Sequence, residues 1–367
     1  MKRLTTLGLI AGLCTVIGLF VSSGPEAVAA ALWASGWGAV LVVVARFVAV
    51  AWAGLGWWVV FPRGERPLLR ACVSVRFVRE GINTLLPVAQ VGGDLIGARL
   101  LAQHRVPGAL SGATTLVDLM VQALTQFLFT LAGLGILVAL GGDGPIVHYV
   151  GLGLVVAAPA LLAFYLVQRR FGQSLLQAAI NRFAGGREWR IFGAVDVLFE
   201  RLRGLYAARG RILTAIGTHL FGWIIGTLEV WIALRFMGYE VGFLEAIVIE
   251  SLAQAVRGAA FAVPGALGAQ EGGLIALCAV FGIPAEAALA LSLIKRLADL
   301  AVGLPSLMLW HAMEDGNAEA GRRPMQGGPA RLGAALRAYI RPRDTHMRPA
   351  HEPAFGYAAA PADGKGE

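Results

Sequence analysis

Apolar residues fall in long runs along the chain, separated by short gaps in which the arginines collect. A helix needs roughly 20 apolar residues to cross the hydrocarbon of a bilayer. Runs of about that length occupy 4–21, 39–61, 109–140, 149–167, 212–237 and 287–310, and predict six full spans. Trp57 and Trp58 near the end of the second run suit an interfacial belt. The first run follows Lys2 and Arg3 and reads as an uncleaved anchor, with a cleaved signal peptide as the alternative. Gaps 23–38, 141–147 and 238–244 carry no Lys or Arg, whereas 62–70, 169–211 and the tail carry many. The positive-inside rule then puts both termini in the cytoplasm. Stretch 169–211 holds nine arginines, with Leu175, Leu176, Ala179, Ile180 and Phe183 at helical spacing. That pattern predicts an amphipathic helix on the inner leaflet. From 312 to 367 the chain turns to Gly, Pro, Ala and charge, and reads as a disordered cytoplasmic tail, with a short helix around 329–340. The domain boundary is therefore drawn between 1–311 and 312–367.

Two semi-polar stretches, 64–106 and 243–282, do not fit the span template, and they resemble each other. The first contains LLPVAQVGGDLIGARLLAQHRVPGAL and the second AVPGALGAQEGGLIALCAVFGIPAEA. Pro87 precedes Asp94 by seven positions and Asp94 precedes Pro107 by thirteen; Pro264, Glu271 and Pro284 repeat both spacings. Each acid has a Gln and a Gly pair beside it: Gln90, Gly92 and Gly93, then Gln270, Gly272 and Gly273. Three full spans between the copies make this an inverted-topology repeat, with elements at about 64–140 and 243–311, as in many transporters. Proline removes a donor and glycine admits non-helical angles, so breaks are expected over 87–93 and 264–273, the latter including Gly265 and Gly268. Each stretch is then either a re-entrant hairpin or a pair of short spans. Broken backbone at membrane depth survives only where protein or a water-filled cavity satisfies it.

Ionisable groups also lie inside the spans. Each costs about 2.5–3.5 kcal/mol at a helix centre and must face the interior, a cavity or a partner. Asp118, Gln122 and Gln126 share one helix face, as do Glu250, Gln254 and Arg257. Lys295, Arg296 and Asp299 lie within one turn, and Lys295 and Asp299 are expected to pair at i, i+4. Arg46 and Glu229 are the lone charges of their helices and need partners from elsewhere. Arg76, Arg79 and Glu80 precede the first break and Arg99 follows it. A polar lining inside an apolar protein suits an amphiphile whose head group crosses the cavity while its tails stay in lipid. Asp94 and Glu271 are the natural proton or head-group sites.

Composition agrees. Hydrophobic residues make up 57% and charged residues 15%, against roughly 45–50% and 25% in soluble domains. The net charge of +8 follows loops and tail rather than a face, which argues against nucleic acid. Cys14, Cys72 and Cys278 lack metal or redox spacing, and the histidines form no zinc motif, so no metal and no cofactor is expected. There is no phosphate-cradling GxxxxGK[ST] loop. No nucleophile–base constellation stands out, and no catalytic residue is assigned.

INTLLPVAQVGGDLIGARLL at 82–101 and PGALGAQEGGLIALCAVFGIPAEAALALSLIKRLADLAVGLP at 264–305 resemble the flippase-like membrane family related to the membrane domain of lysylphosphatidylglycerol synthases, most nearly its hopanoid-biosynthesis-associated HpnL-type members. The broader family usually carries an Arg and a Glu after the first Pro; Gln90 and Asp94 stand there in this chain. The resemblance implies Asp94, Arg99, Glu271 and Arg296 as functional positions, and lipid translocation in a bacterial inner membrane, with hopanoid or phospholipid as substrate. Lysyl-transferring enzymes carry a large soluble domain after the membrane part, so aminoacyl transfer is not expected of these residues. The alternatives are a non-catalytic scaffold docking lipid-biosynthesis proteins and an intramembrane lipid-modifying enzyme.

Overall fold

A computed structural model describes residues 17, 21, 25–86, 91–104, 106–142, 144–174, 188–261 and 263–322. Among them the chain is helical, with no strand. The helices are α1 (Pro25–Ser35), α2 (Trp37–Val60), α3 (Leu69–Leu85), α4 (Gly92–Gln103), α5 (Gly108–Ala139), α6 (Pro145–Leu166), α7 (Glu188–Ala207), α8 (Arg209–Phe236), α9 (Phe243–Ala259), α10 (Ala269–Val280) and α11 (Ala285–Arg322).

Among the described residues four helices are long and apolar enough to cross a membrane: α2, α5, α6 with the turn after it, and α8. The expected first span, 4–21, lies outside the described residues, as do Leu175 to Phe183. α11 covers the expected last span and holds Lys295, Arg296 and Asp299. It continues to Arg322, past the boundary drawn at 312, because Ala318, Glu319 and Ala320 are good helix formers. The described residues up to Asn317 form one compact unit.

α6 shows what the surroundings must be. None of its residues is buried, and Leu152, Val155, Val156 and Leu162 are all more than half exposed. A long helix apolar all round that packs on the bundle through a few residues and leaves most of its surface uncovered is a membrane span.

Proline sets several helix ends. Phe61 precedes Pro62 and is extended (ψ 142°), which stops α2. Arg66 folds back there, its guanidinium 4.2 Å from the Trp58 ring centroid, and donates to the carbonyls of Phe61 and Val59. Leu86 before Pro87 is extended in the same way (ψ 148°) and ends α3.

The two semi-polar stretches fold alike. α3 and α9 have 17 residues each, α4 and α10 have 12 each. Asp94 is the third residue of α4, and Glu271 the third of α10. α3 ends at Leu85 and α4 begins at Gly92, α9 ends at Ala259 and α10 begins at Ala269, so the helices resume earlier than expected; 87–90 and 262 lie outside the described residues. Gly92, Gly93, Gly272 and Gly273 are already helical, because Asp94 after the first pair and Glu271 before the second each lie in the first turn and stabilise a helix start. In the second break a short 3₁₀ turn covers Pro264–Ala266, and Gly268 takes φ +80°, which glycine adopts without strain.

Three clusters hold the bundle. Val230, Ala233 and Leu234 of α8 pack with Ile249 and Leu252 of α9 and with Leu291 and Ile294 of α11. Trp57 and Phe61 pack with Val75, Val78 and Ile82 of α3 and Leu100 of α4. Phe199, Leu202 and Leu205 give α7 an apolar face against Val117 and Val121 of α5. The α7 part of the Arg-rich stretch therefore docks onto the bundle through this face.

Candidate functional site: a charged cavity within the bundle

A cavity of about 360 Å³ opens between α2, α3, α4, α5, α8 and α9. Its lining includes four arginines, Arg46, Arg76, Arg79 and Arg257, and four carboxylates, Glu80, Asp94, Glu229 and Glu250. Fixed charges inside apolar helices stay ionised only when paired and hydrogen-bonded. The pairs fall into two groups.

The first centres on Arg79, which is 1% exposed. Its Nε donates to Asp94 Oδ1 at 2.8 Å and its Nη1 to Asp118 Oδ2 at 2.9 Å. The guanidinium lies 4.5 Å from the Trp57 ring centroid, an added cation–π attraction. Gly97, one turn after Gly93 on α4, gives the side chain room: a Cβ there would meet Arg79 Cγ at 2.5 Å. Asn83 donates to Asp94 Oδ2 at 3.2 Å and accepts the Gly93 N–H at 2.7 Å, so α3 caps α4. Asp118 also receives Gln122 Nε2 at 2.8 Å and lies 3.1 Å from His219 Nε2. His219 fits because residue 56 on α2 is glycine; a Cβ there would come 2.7 Å from Nε2. Arg76 donates to Gln122 Oε1 at 2.9 Å and lies 3.4 Å from Glu80.

The second group ties four helices. Arg46 of α2 lies 3.1 Å from Glu229 of α8 and 3.3 Å from Asp299 of α11. Lys295 reaches Glu229 at 3.2 Å and Glu250 at 2.9 Å, and Arg257 reaches Asp299 at 3.2 Å. The expected Lys295–Asp299 pair does not form. Lys295 turns instead to the carboxylates of α8 and α9, and Asp299 takes the two arginines. Glu250 would otherwise be buried without a cation, and that cost exceeds what a same-helix pair contributes. Arg46, the lone charge of α2, meets Glu229, the lone carboxylate of α8.

Arg76 Nε and Glu229 Oε1 are buried with no hydrogen-bond partner among the described residues. They leave a donor and an acceptor for a polar guest.

Asp94 and Arg257 thus line the cavity, and Asp118 stands behind it, bonded to Arg79. Glu271, Arg296 and Gln270 do not line it. They form a third set: Arg296 Nε donates to Glu271 Oε1 at 2.6 Å, Ser292 Oγ donates to the same oxygen, and Gln270 donates to Ser292. Glu271 Oε2 accepts the Gly268 N–H at 2.8 Å, closing the N-terminus of α10. Arg99 lies apart, 57% exposed and paired with Glu314. Gln90 and Pro87 fall outside the described residues. Asn83, His219, Trp52 and Trp223 line the cavity without having been singled out. A histidine in an otherwise apolar span was the available signal for His219; Asn83 carried none.

Several apolar helices around a buried ionic network define a multi-pass α-helical membrane protein. The model of the lysylphosphatidylglycerol synthase TM region matches residues 7–306, and the chain belongs to that family. It is 24% identical over 303 residues to a UPF0104 membrane protein of Methanothermobacter thermautotrophicus, covering 77% of this chain and 85% of the relative. No solved structure matches.

Proposed function

We propose that this protein translocates a lipid across the membrane, the head group passing through the charged cavity while the tails remain in lipid. The observation that carries this reading is the cavity itself: four arginines and four carboxylates facing one space inside a bundle of apolar helices. Ionisable groups at membrane depth are costly, and they accompany pathways for polar cargo. Family membership supports a lipid as that cargo, and a phospholipid or hopanoid-like amphiphile fits the space. The chain does this without covalent chemistry, in the inner membrane with both termini cytoplasmic. The arginines of 62–70 and at the outer ends of α6 and α8 support that orientation. The matched lengths of α3 with α9 and α4 with α10 support an inverted repeat behind the movement.

The test is translocation of labelled phospholipid and hopanoid-like probes in proteoliposomes holding the purified protein. Wild type moves a probe, and Asp94→Asn and Glu80→Gln, which insert normally, lose most of that movement. Full movement in both variants would remove the cavity from the mechanism. A covalently altered probe in the mass spectrum would replace transport with lipid chemistry, and no movement of any probe would favour a scaffold.

A further inference from the structure

A second space of about 310 Å³ opens on the outside of the bundle between α5, α7, α8 and the end of α6. It is separate from the charged cavity and shares no lining residue with it. Its walls are apolar, among them Met120 and Leu124 of α5 and Leu213 and Ile216 of α8. At one end are Arg169 and Arg209. Both are exposed, and neither forms a salt bridge among the described residues. Arg169 is the last residue of the span through α6, and Arg209 the first of the span through α8. The two guanidiniums therefore stand at span ends, where lipid phosphates lie, and the apolar walls run from there along the spans.

The floor of the mouth is fixed. A π-helical turn at Val167–Phe171 turns Gln168 inward, where it donates to Leu116 O at 3.2 Å and accepts Tyr206 Oη at 2.6 Å. π-turns of this kind recur at functional sites. The same turn leaves Arg169 outward, against the Tyr165 hydroxyl. Tyr165 and Tyr206 meet edge to face at 5.4 Å. An anion at this mouth would supply the partner that neither Arg169 nor Arg209 has among the salt bridges of the described residues.

We propose that this groove holds one acyl chain of an anionic phospholipid, with the phosphate on Arg169 and Arg209. Charge complementarity selects the occupant: an apolar slot alone would take any chain, and the paired guanidiniums at head-group depth select a net-negative lipid. The inference stands independently of the translocation reading.

The experiment reconstitutes the full chain in phosphatidylcholine nanodiscs with a minor fraction of phosphatidylglycerol carrying a photoreactive diazirine on its acyl chain. Cross-linked peptides are mapped by mass spectrometry. Labelling is expected at the segments bearing Leu124 and Ile216, and the same diazirine on phosphatidylcholine labels them far less. The double variant Arg169→Gln/Arg209→Gln lowers phosphatidylglycerol labelling roughly 30-fold, about fivefold for each arginine near the surface. Ile216→Trp, which fills the slot and keeps the arginines, removes labelling at Leu124. Equal labelling by both lipids, an unaltered signal in the double variant, or persistent Leu124 labelling in Ile216→Trp would each overturn the proposal.

Discussion

In the first broken stretch Asp94 is held by Arg79, which comes from α3, before the break; in the second, Glu271 is held by Arg296 of α11, the helix that follows its own. Both acids occupy the third position of a 12-residue helix, and both follow a 17-residue helix. Glu271 closes its own helix by accepting the Gly268 N–H, so its carboxylate is used locally. Asp94 is relieved of that task because Asn83 of α3 takes the Gly93 N–H. Its carboxylate is free to join Arg79, and through Arg79 to reach Asp118, His219 and the cavity. One local design thus yields a structural latch in one stretch and a cavity wall in the other, according to which helix supplies the arginine.

The largest expected effect tests that wall. Arg79→Ala leaves Asp94 and Asp118 buried without their shared cation. Breaking a buried pair on one side typically costs about 3–5 kcal/mol, and the thermal unfolding of detergent-solubilised protein should show it. A drop no larger than that of an exposed-site variant would mean that the first group is not a structural unit. Next comes a pair of double-mutant cycles, Arg79 with Asp118 and Arg296 with Glu271. Coupling of about 1–3 kcal/mol is expected for the first. The second should be smaller, because the Arg296 side chain is 21% exposed and Arg79 is 1% exposed. Equal couplings would erase the distinction between wall and latch.

Glu271→Ala should cost roughly 0.5–2 kcal/mol, the range for losing a helix cap, while Glu271→Gln recovers part of it. Neither variant should slow lipid movement as strongly as Asp94→Asn, and a transport loss equal to that of Asp94→Asn would bring the second stretch into the pathway. The smallest effect is at Arg99. Its exposed pair with Glu314 should contribute less than about 1 kcal/mol, and Arg99→Ala should leave transport unchanged.

Span lengths, helix breaks and repeat spacing are local properties, and they were legible in the chain. The runs at 39–61, 109–140, 149–167 and 212–237 each fold as a long apolar helix, within a few residues of their expected ends. The break positions drifted, because an acid three residues into a helix pulls its start back across a glycine pair, as at Gly92 and Gly93. The site was legible in part. Asp94, Asp118 and Arg257 fall in or against the cavity, whereas Arg99, Glu271 and Arg296 come to lie elsewhere. Asn83, His219 and the glycine at 56 that admits it act through approach between distant helices, for which a single segment carries no signal.

The sequence by itself determined that this chain is a helical membrane protein, where its helices are interrupted, and that Arg46, Glu229, Asp118 and Lys295 each required a partner. Apolar run length and the cost of a bare charge in lipid are enough for that. Which partner each took was decided by the tertiary structure. Lys295 passed over Asp299 one turn away for Glu229 and Glu250 on other helices, and Arg46 found Glu229 across the α2–α8 contact. The pairing of buried charges depends on helix rotation and depth, and those are set only when the helices pack.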